Sequence, residues 1–161
     1  MVANAMPQKI ILTGMVPEVA RAPIIRIGST LIVTVLEDLH DRDALDLQTE
    51  LLQKLEEAGS TGVLLDLSVV EIVDSFLGRM LNDIAVGVRL LGAQMVVAGI
   101  QPAVAITLVE LGLELRGIRT AINADRGLVL LDRLVRQSDK AFRNSRADAR
   151  PTGAGGVRGH H

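Results

Sequence analysis

The segment Gly62 to Gly92, GVLLDLSVVEIVDSFLGRMLNDIAVGVRLLG, confines the chain to few architectures. It opens with a short apolar run, Val63 to Leu67, of the kind that forms a strand buried on both faces. A connector follows, and Asp74-Ser75 stands just ahead of a long helical pattern. Phe76, Leu77, Met80, Leu81, Ile84, Val88 and Leu91 recur at the three-and-four spacing of one helix face. Gly92 falls where a left-handed residue would close that helix. The pattern sets Ser75 at a helix N-terminus beyond the carboxyl end of a strand. Partners and ligands usually meet open α/β sheets at that end.

The flanking sequence repeats the unit. Ile24 to Ile27 and Leu31 to Leu36 are β-branched runs around Gly28-Ser29-Thr30, which predicts a hairpin. Asp41 or Asp43 is the expected cap of the next helix. Leu45, Leu47, Leu51, Leu52, Leu55 and Ala58 form its expected apolar side, Glu50 and Lys54 a four-apart ion pair, and Gly59 its end. Met95 to Ala98 reads as a strand and Pro102 to Leu111 as a helix, with proline at the first helical position, where an N–H finds no partner. Gly112 closes it. Ile118 to Ile122 adds a strand and Asp125 to Arg136 a helix, with Leu128, Leu131, Leu134 and Val135 inward. The order β-β-α-β-α-β-α-β-α implies an α/β fold. Its central sheet has about five strands, mainly parallel, with an N-terminal antiparallel hairpin and about four helices.

Three regions follow from composition. Residues 1–22, with Met1, Met6, Met15, Pro7 and Pro17, read as a flexible arm in which Lys9 to Thr13 could add an edge strand. Residues 23–137 form the domain. Residues 138–161, rich in Arg, Gly, Ser, Ala and Asp, read as a disordered tail. With only a short arm ahead of the domain, no sensory domain is expected there.

Composition also excludes functions. Phe76 and Phe142 are the only aromatic residues, so bases have no rings to stack on. The formal net charge is −2 with both signs interspersed along the sequence, which predicts no nucleic-acid or membrane partner. Absent cysteines exclude disulfides and thiol chemistry, and suit a cytoplasmic protein. No apolar run approaches the roughly 18–20 residues that cross a bilayer.

Catalysis finds little support. Apart from the terminal pair, His40 is the only histidine, and its place before a helix cap reads as a solvated loop. Neither GxxxxGK[ST] nor GxGxxG occurs, so both common phosphate cradles are missing. Asp38, Asp41 and Asp43 lack calcium-loop spacing and read as a solvated acidic turn. Thr107 reads as packed within its helix, and the terminal His160-His161 as an ordinary end. An unrecognised small nucleotide-binding enzyme would have to use Asp66, Asp74 and Ser75. Ser75 itself admits two readings from its position: a capping hydroxyl, a role Asp74 could equally fill, or a functional one.

The early hairpin, VLLDLS, Asp-Ser before a helix, and a strand ending in VVAGI together resemble the STAS family, which includes bacterial anti-anti-sigma factors. Asp74-Ser75-Phe76 and Gly99-Ile-Gln-Pro-Ala-Val-Ala105, continuing through Thr107 to Gly112, look closer to the small antagonists of the stressosome. The likeness covers about Pro23 to Gln137. It implies a non-enzymatic scaffold that needs no cofactor and is phosphorylated at Ser75. Asp74, Ser75, Phe76 and Arg79 would form the partner surface. The implied partners are a serine/threonine switch kinase and sensor paralogues with STAS domains of their own. Together these would build a large homo- or hetero-oligomeric assembly. The alternative within the family is an anti-anti-sigma factor that binds an anti-sigma kinase directly.

Overall fold

The structure is a computed structural model that describes residues 22–37, 39–113, 115 and 117–148. Strands β1 (Ile24–Ile27) and β2 (Thr30–Thr34) form the expected antiparallel hairpin. Helix α1 (Asp41–Glu57), strand β3 (Gly62–Asp66), helix α2 (Ser75–Leu90) and strand β4 (Gln94–Ala98) follow. Helix α3 (Pro102–Glu110), strand β5 (Arg119–Ala121) and helix α4 (Ala124–Asp148) complete the order. The five strands lie in sequence order, β1-β2-β3-β4-β5, and every pairing after the first is parallel.

Register explains why the strands are apolar throughout. Val33 pairs with Leu65, and Leu65 with Val97, in one row across the sheet. All three are buried under α1, α2 and α3 in the larger core cluster. The adjacent row, Ile32, Leu64 and Val96, points through to the opposite face and meets α4. Successive side chains of a strand alternate faces, so helices on both sides require apolar residues at every position. Leu64 and Leu65 are each fully buried, a gain of roughly 1.5–3 kcal/mol per side chain.

Close approach of α4 is secured by Gly127. A Cβ there would lie 2.5 Å from Leu64 Cδ1 and 3.3 Å from the Ala98 Cβ. Leu131, Leu128, Leu134 and Val135 pack on this face as the spacing predicts, with Leu131 fully buried.

Four expectations are corrected. Neither Asp41 nor Asp43 caps α1: His40 occupies the cap without a side-chain bond, and both aspartates lie in the first turn. There they face the positive end of the helix dipole. Leu45 is 53% exposed and Ala44 takes the buried position, because Ala44, Leu47, Leu51 and Leu55 make the continuous stripe. Leu91, placed on the inner face of α2, is likewise 47% exposed, at the helix C-cap. Finally, α4 does not stop at Arg136, and residues 138–148 are helical rather than disordered. Within that stretch Arg143 Nε donates to the Asp139 carbonyl at 3.4 Å and Arg146 lies 5.6 Å over the Phe142 ring, contacts one turn apart that support helix without needing a core. The Lys9 to Thr13 strand and the tail beyond residue 148 lie outside the described residues. Glu50 and Lys54 pair as expected, at 2.7 Å.

Candidate functional site

The β3–α2 connector is held by three inward residues. Leu67, Val70 and Val73 are buried, and the Leu67 N–H donates to the Ala98 carbonyl at 2.9 Å. The Asp66 carboxylate accepts the Ser68 N–H at 3.0 Å and so closes the turn that leaves β3. This is the local task of Asp66. The three-residue spacing that buries these anchors turns Val69 and Ile72 outward, 47% and 78% exposed.

A second connector braces the first. Gly99 has φ of +72°, and a Cβ there would come within 2.9 Å of the Ser68 Cα, so only glycine fits without displacing backbone. The Gln101 side-chain amide donates to the Ser68 carbonyl at 2.9 Å. Pro102 then opens α3 at the position where a missing N–H costs nothing. The Gly99-Ile-Gln-Pro sequence thus fixes the segment leading to Ser75 from across the neighbouring strand.

At the start of α2, Asp74 is the cap. Its carboxylate accepts the Leu77 N–H at 2.8 Å, and its carbonyl accepts that of Gly78 at 3.1 Å. Ser75 is therefore the first helical residue, exposed, with its hydroxyl not consumed by capping. The position left two readings open, and the geometry gives the capping role to Asp74. Arg79 lies one turn on. Its Nε donates to the Ser75 carbonyl at 3.1 Å, and its terminal NH2 lies 3.5 Å from Ser75 Oγ. Phe76 is half-buried and packs against the main core.

The four residues expected to form the surface do come together here. Beside them is a cleft of about 320 Å³ between the β2–α1 loop and α2, lined by Leu39, Ala44, Ile72, Asp74, Phe76 and Leu77 among others. Sequence reasoning missed Val69 and Ile72. Their signal was the spacing of Leu67, Val70 and Val73, which leaves the residues between them outside. Elsewhere, the Thr107 hydroxyl donates to the Ala103 carbonyl at 3.0 Å within α3. His40 is exposed. Among the described residues no group of acidic and imidazole side chains is arranged to hold a metal ion, and no helix is long and apolar enough to cross a membrane.

The sequence profile of the STAS domain matches residues 9–122. The chain belongs to the STAS family. That match begins ahead of Pro23 and ends short of α4, whereas the likeness read from the sequence ran from Pro23 to Gln137. The RsbT co-antagonist protein RsbRA of Bacillus subtilis is 32% identical over 122 residues, which take in 68% of this chain. The chain spans only 44% of the length of that relative. Among solved structures, RsbS of Moorella thermoacetica, carrying a serine-to-glutamate substitution, is 40% identical with a TM-score of 0.66. That match covers 73% of this chain and 99% of the other. A chain from the stressosome, described as a signal integration and transduction hub, is 42% identical with a TM-score of 0.64, covering 71% and 99%. The mixed five-stranded sheet with its leading antiparallel pair is the STAS fold. In this STAS domain two of the segments that carried the resemblance meet at Ser68, the end of VLLDLS, against which Gly99 and Gln101 of the second segment are set.

Proposed function

We propose that the chain is a stressosome scaffold and antagonist that holds a serine/threonine kinase and releases it once that kinase has phosphorylated Ser75. One observation carries the reading: Ser75 is exposed, and its hydroxyl is spared from capping by Asp74. The likeness to RsbS over nearly the whole of that chain, and to a protein named for co-antagonism of RsbT, supports the class of partner.

The step is a phosphoryl transfer in which the kinase supplies ATP and magnesium. Ser75 Oγ bonds to the γ-phosphorus, the bond to the β-phosphate oxygen breaks, ADP leaves, and the serine proton passes to a base of the kinase. The product adds about −1.5 to −2 charges at neutral pH. The first turn of α2 favours an anion by roughly 0.3–1 kcal/mol, and the neighbouring Arg79 guanidinium favours it too. Asp74 opposes it. These local terms nearly balance, so the domain keeps its fold.

A docked partner experiences something larger. Ile72 and the exposed part of Phe76, which line the cleft beside Asp74, offer apolar contact next to Ser75. Sealing a dianion within such a contact, without a cation from the partner, costs several kcal/mol. Release follows from that penalty rather than from unfolding.

The test is incubation with the cognate kinase and ATP, followed by peptide mass spectrometry and size-exclusion chromatography. A single added phosphate on Ser75, coinciding with loss of kinase from the complex, is expected. Phosphate on another residue, or release with Ser75 unmodified, contradicts the proposal.

A further inference from the structure

Charge that alternates along the sequence is segregated in space. Helix α1 carries six acids, Asp41, Asp43, Asp46, Glu50, Glu56 and Glu57, against the two bases Arg42 and Lys54. Its buried stripe faces the sheet, so its outward side is an acidic ridge that exposes Asp41, Asp46, Glu56 and Glu57, with Arg42 and Leu45 among them. Helix α4 is the reverse. Its N-terminal half packs on the opposite sheet face through Gly127, Leu131 and Leu134, but packing ends near Val135. The remaining 13 residues project past the sheet for about 20 Å at 1.5 Å per residue.

That projection is exposed from Arg136 through Ala147 and carries Arg136, Lys140, Arg143 and Arg146 against two acids, Asp139 and the terminal Asp148. Phe142 follows Leu131 by eleven residues, three helical turns on, so it continues the buried stripe beyond anything that buries it. It is 65% exposed, with Arg146 5.6 Å over its ring.

We propose that the projecting half of α4 docks on the acidic outer ridge of α1 in a second copy of this chain. The two surfaces are opposite in charge, and each presents one large apolar side chain, Phe142 or Leu45, among its charges. They lie on opposite faces of one sheet, so a single molecule cannot bring them together. A second molecule can. Because the contact joins different surfaces of the two copies, it propagates beyond a pair unless the rotation between them closes a ring. It therefore supplies self-association through side chains other than Ser75.

Sedimentation velocity of the full chain tests this at about 0.1 M and about 1 M salt, where the screening length falls from roughly 10 Å to roughly 3 Å. Association at the lower salt and its loss at the higher are expected. Reversing α4 (Lys140→Glu, Arg143→Glu, Arg146→Glu) or α1 (Asp46→Lys, Glu56→Lys, Glu57→Lys) should each weaken association at least about tenfold. Combining both reversals in one chain should restore it, and Phe142→Ala alone should weaken it with every charge intact. All positions are exposed, and circular dichroism confirms that each variant is folded. A chain that is monomeric at both salts overturns the proposal, including one whose basic helix binds duplex nucleic acid or anionic vesicles instead. So does a combined variant that fails to reassociate. No kinase is present, so these outcomes are independent of the Ser75 switch.

Discussion

Arg79 reaches back one helical turn to Ser75, donating from Nε to its carbonyl at 3.1 Å and setting a second nitrogen 3.5 Å from its hydroxyl oxygen. The guanidinium therefore stands beside the Ser75 hydroxyl in the unmodified protein. A side chain already ordered there loses little further freedom when it turns to an anion. The opposing charge, Asp74, is engaged in its bond to the Leu77 amide.

The proposed phosphate on Ser75 would take its ionisation from this pair. A phosphoserine loses its second proton near pH 6, and an adjacent cation favours the dianion and lowers that value. Arg79→Gln should raise it, as read by the pH dependence of the phosphorus chemical shift. An identical titration in the two proteins would show that Arg79 does not meet the phosphate.

Capping distinguishes the neighbours. Asp74→Ala removes the bond to Leu77 and should lower stability by about 1 kcal/mol in urea unfolding. Ser75→Ala should change it by less than about 0.5 kcal/mol, as an exposed substitution without a structural role does. Equal losses would mean that Ser75 shares the cap.

The same pair shows what the sequence could and could not convey. Apolar runs and their spacing place every element, because helices on both sheet faces force Val63 to Leu65 and Met95 to Ala98 to be apolar at each position. Which of Asp74 and Ser75 caps α2 is not legible, since both have a suitable oxygen and the choice depends on one residue of register. Nor is the outward turn of Ile72, which follows from where Leu67, Val70 and Val73 anchor. The distal half of α4 was missed for another reason. Residues 138–148 lack an apolar stripe matched to a surface, so periodicity is silent while local side-chain pairs still favour helix.

Gly127 tests the close approach of α4. Alanine would gain up to about 1 kcal/mol in helix propensity. The added Cβ would strike Leu64, which is fully buried and cannot swing clear, and such overpacking costs typically 1–3 kcal/mol. A net loss of about 1 kcal/mol is expected for Gly127→Ala by urea unfolding. A stabilised variant would mean that the helix shifts outward freely.

Ile72 is 78% exposed at the rim of the Ser75 surface and contributes little to folding. Ile72→Ala should leave the unfolding midpoint within error while weakening kinase capture by about tenfold, the loss expected when a contact residue of an interface is truncated. Undiminished capture would place the docking surface elsewhere.

Calorimetric titration of the kinase into unmodified and Ser75-phosphorylated protein measures the switch itself. The account predicts tight binding to the first and at least about a hundredfold weaker binding to the second, with matching circular dichroism spectra; a hundredfold is about 2.8 kcal/mol, within the cost of burying an uncompensated charge. Equal affinity for the two forms, or weaker binding accompanied by loss of helix signal, would contradict it.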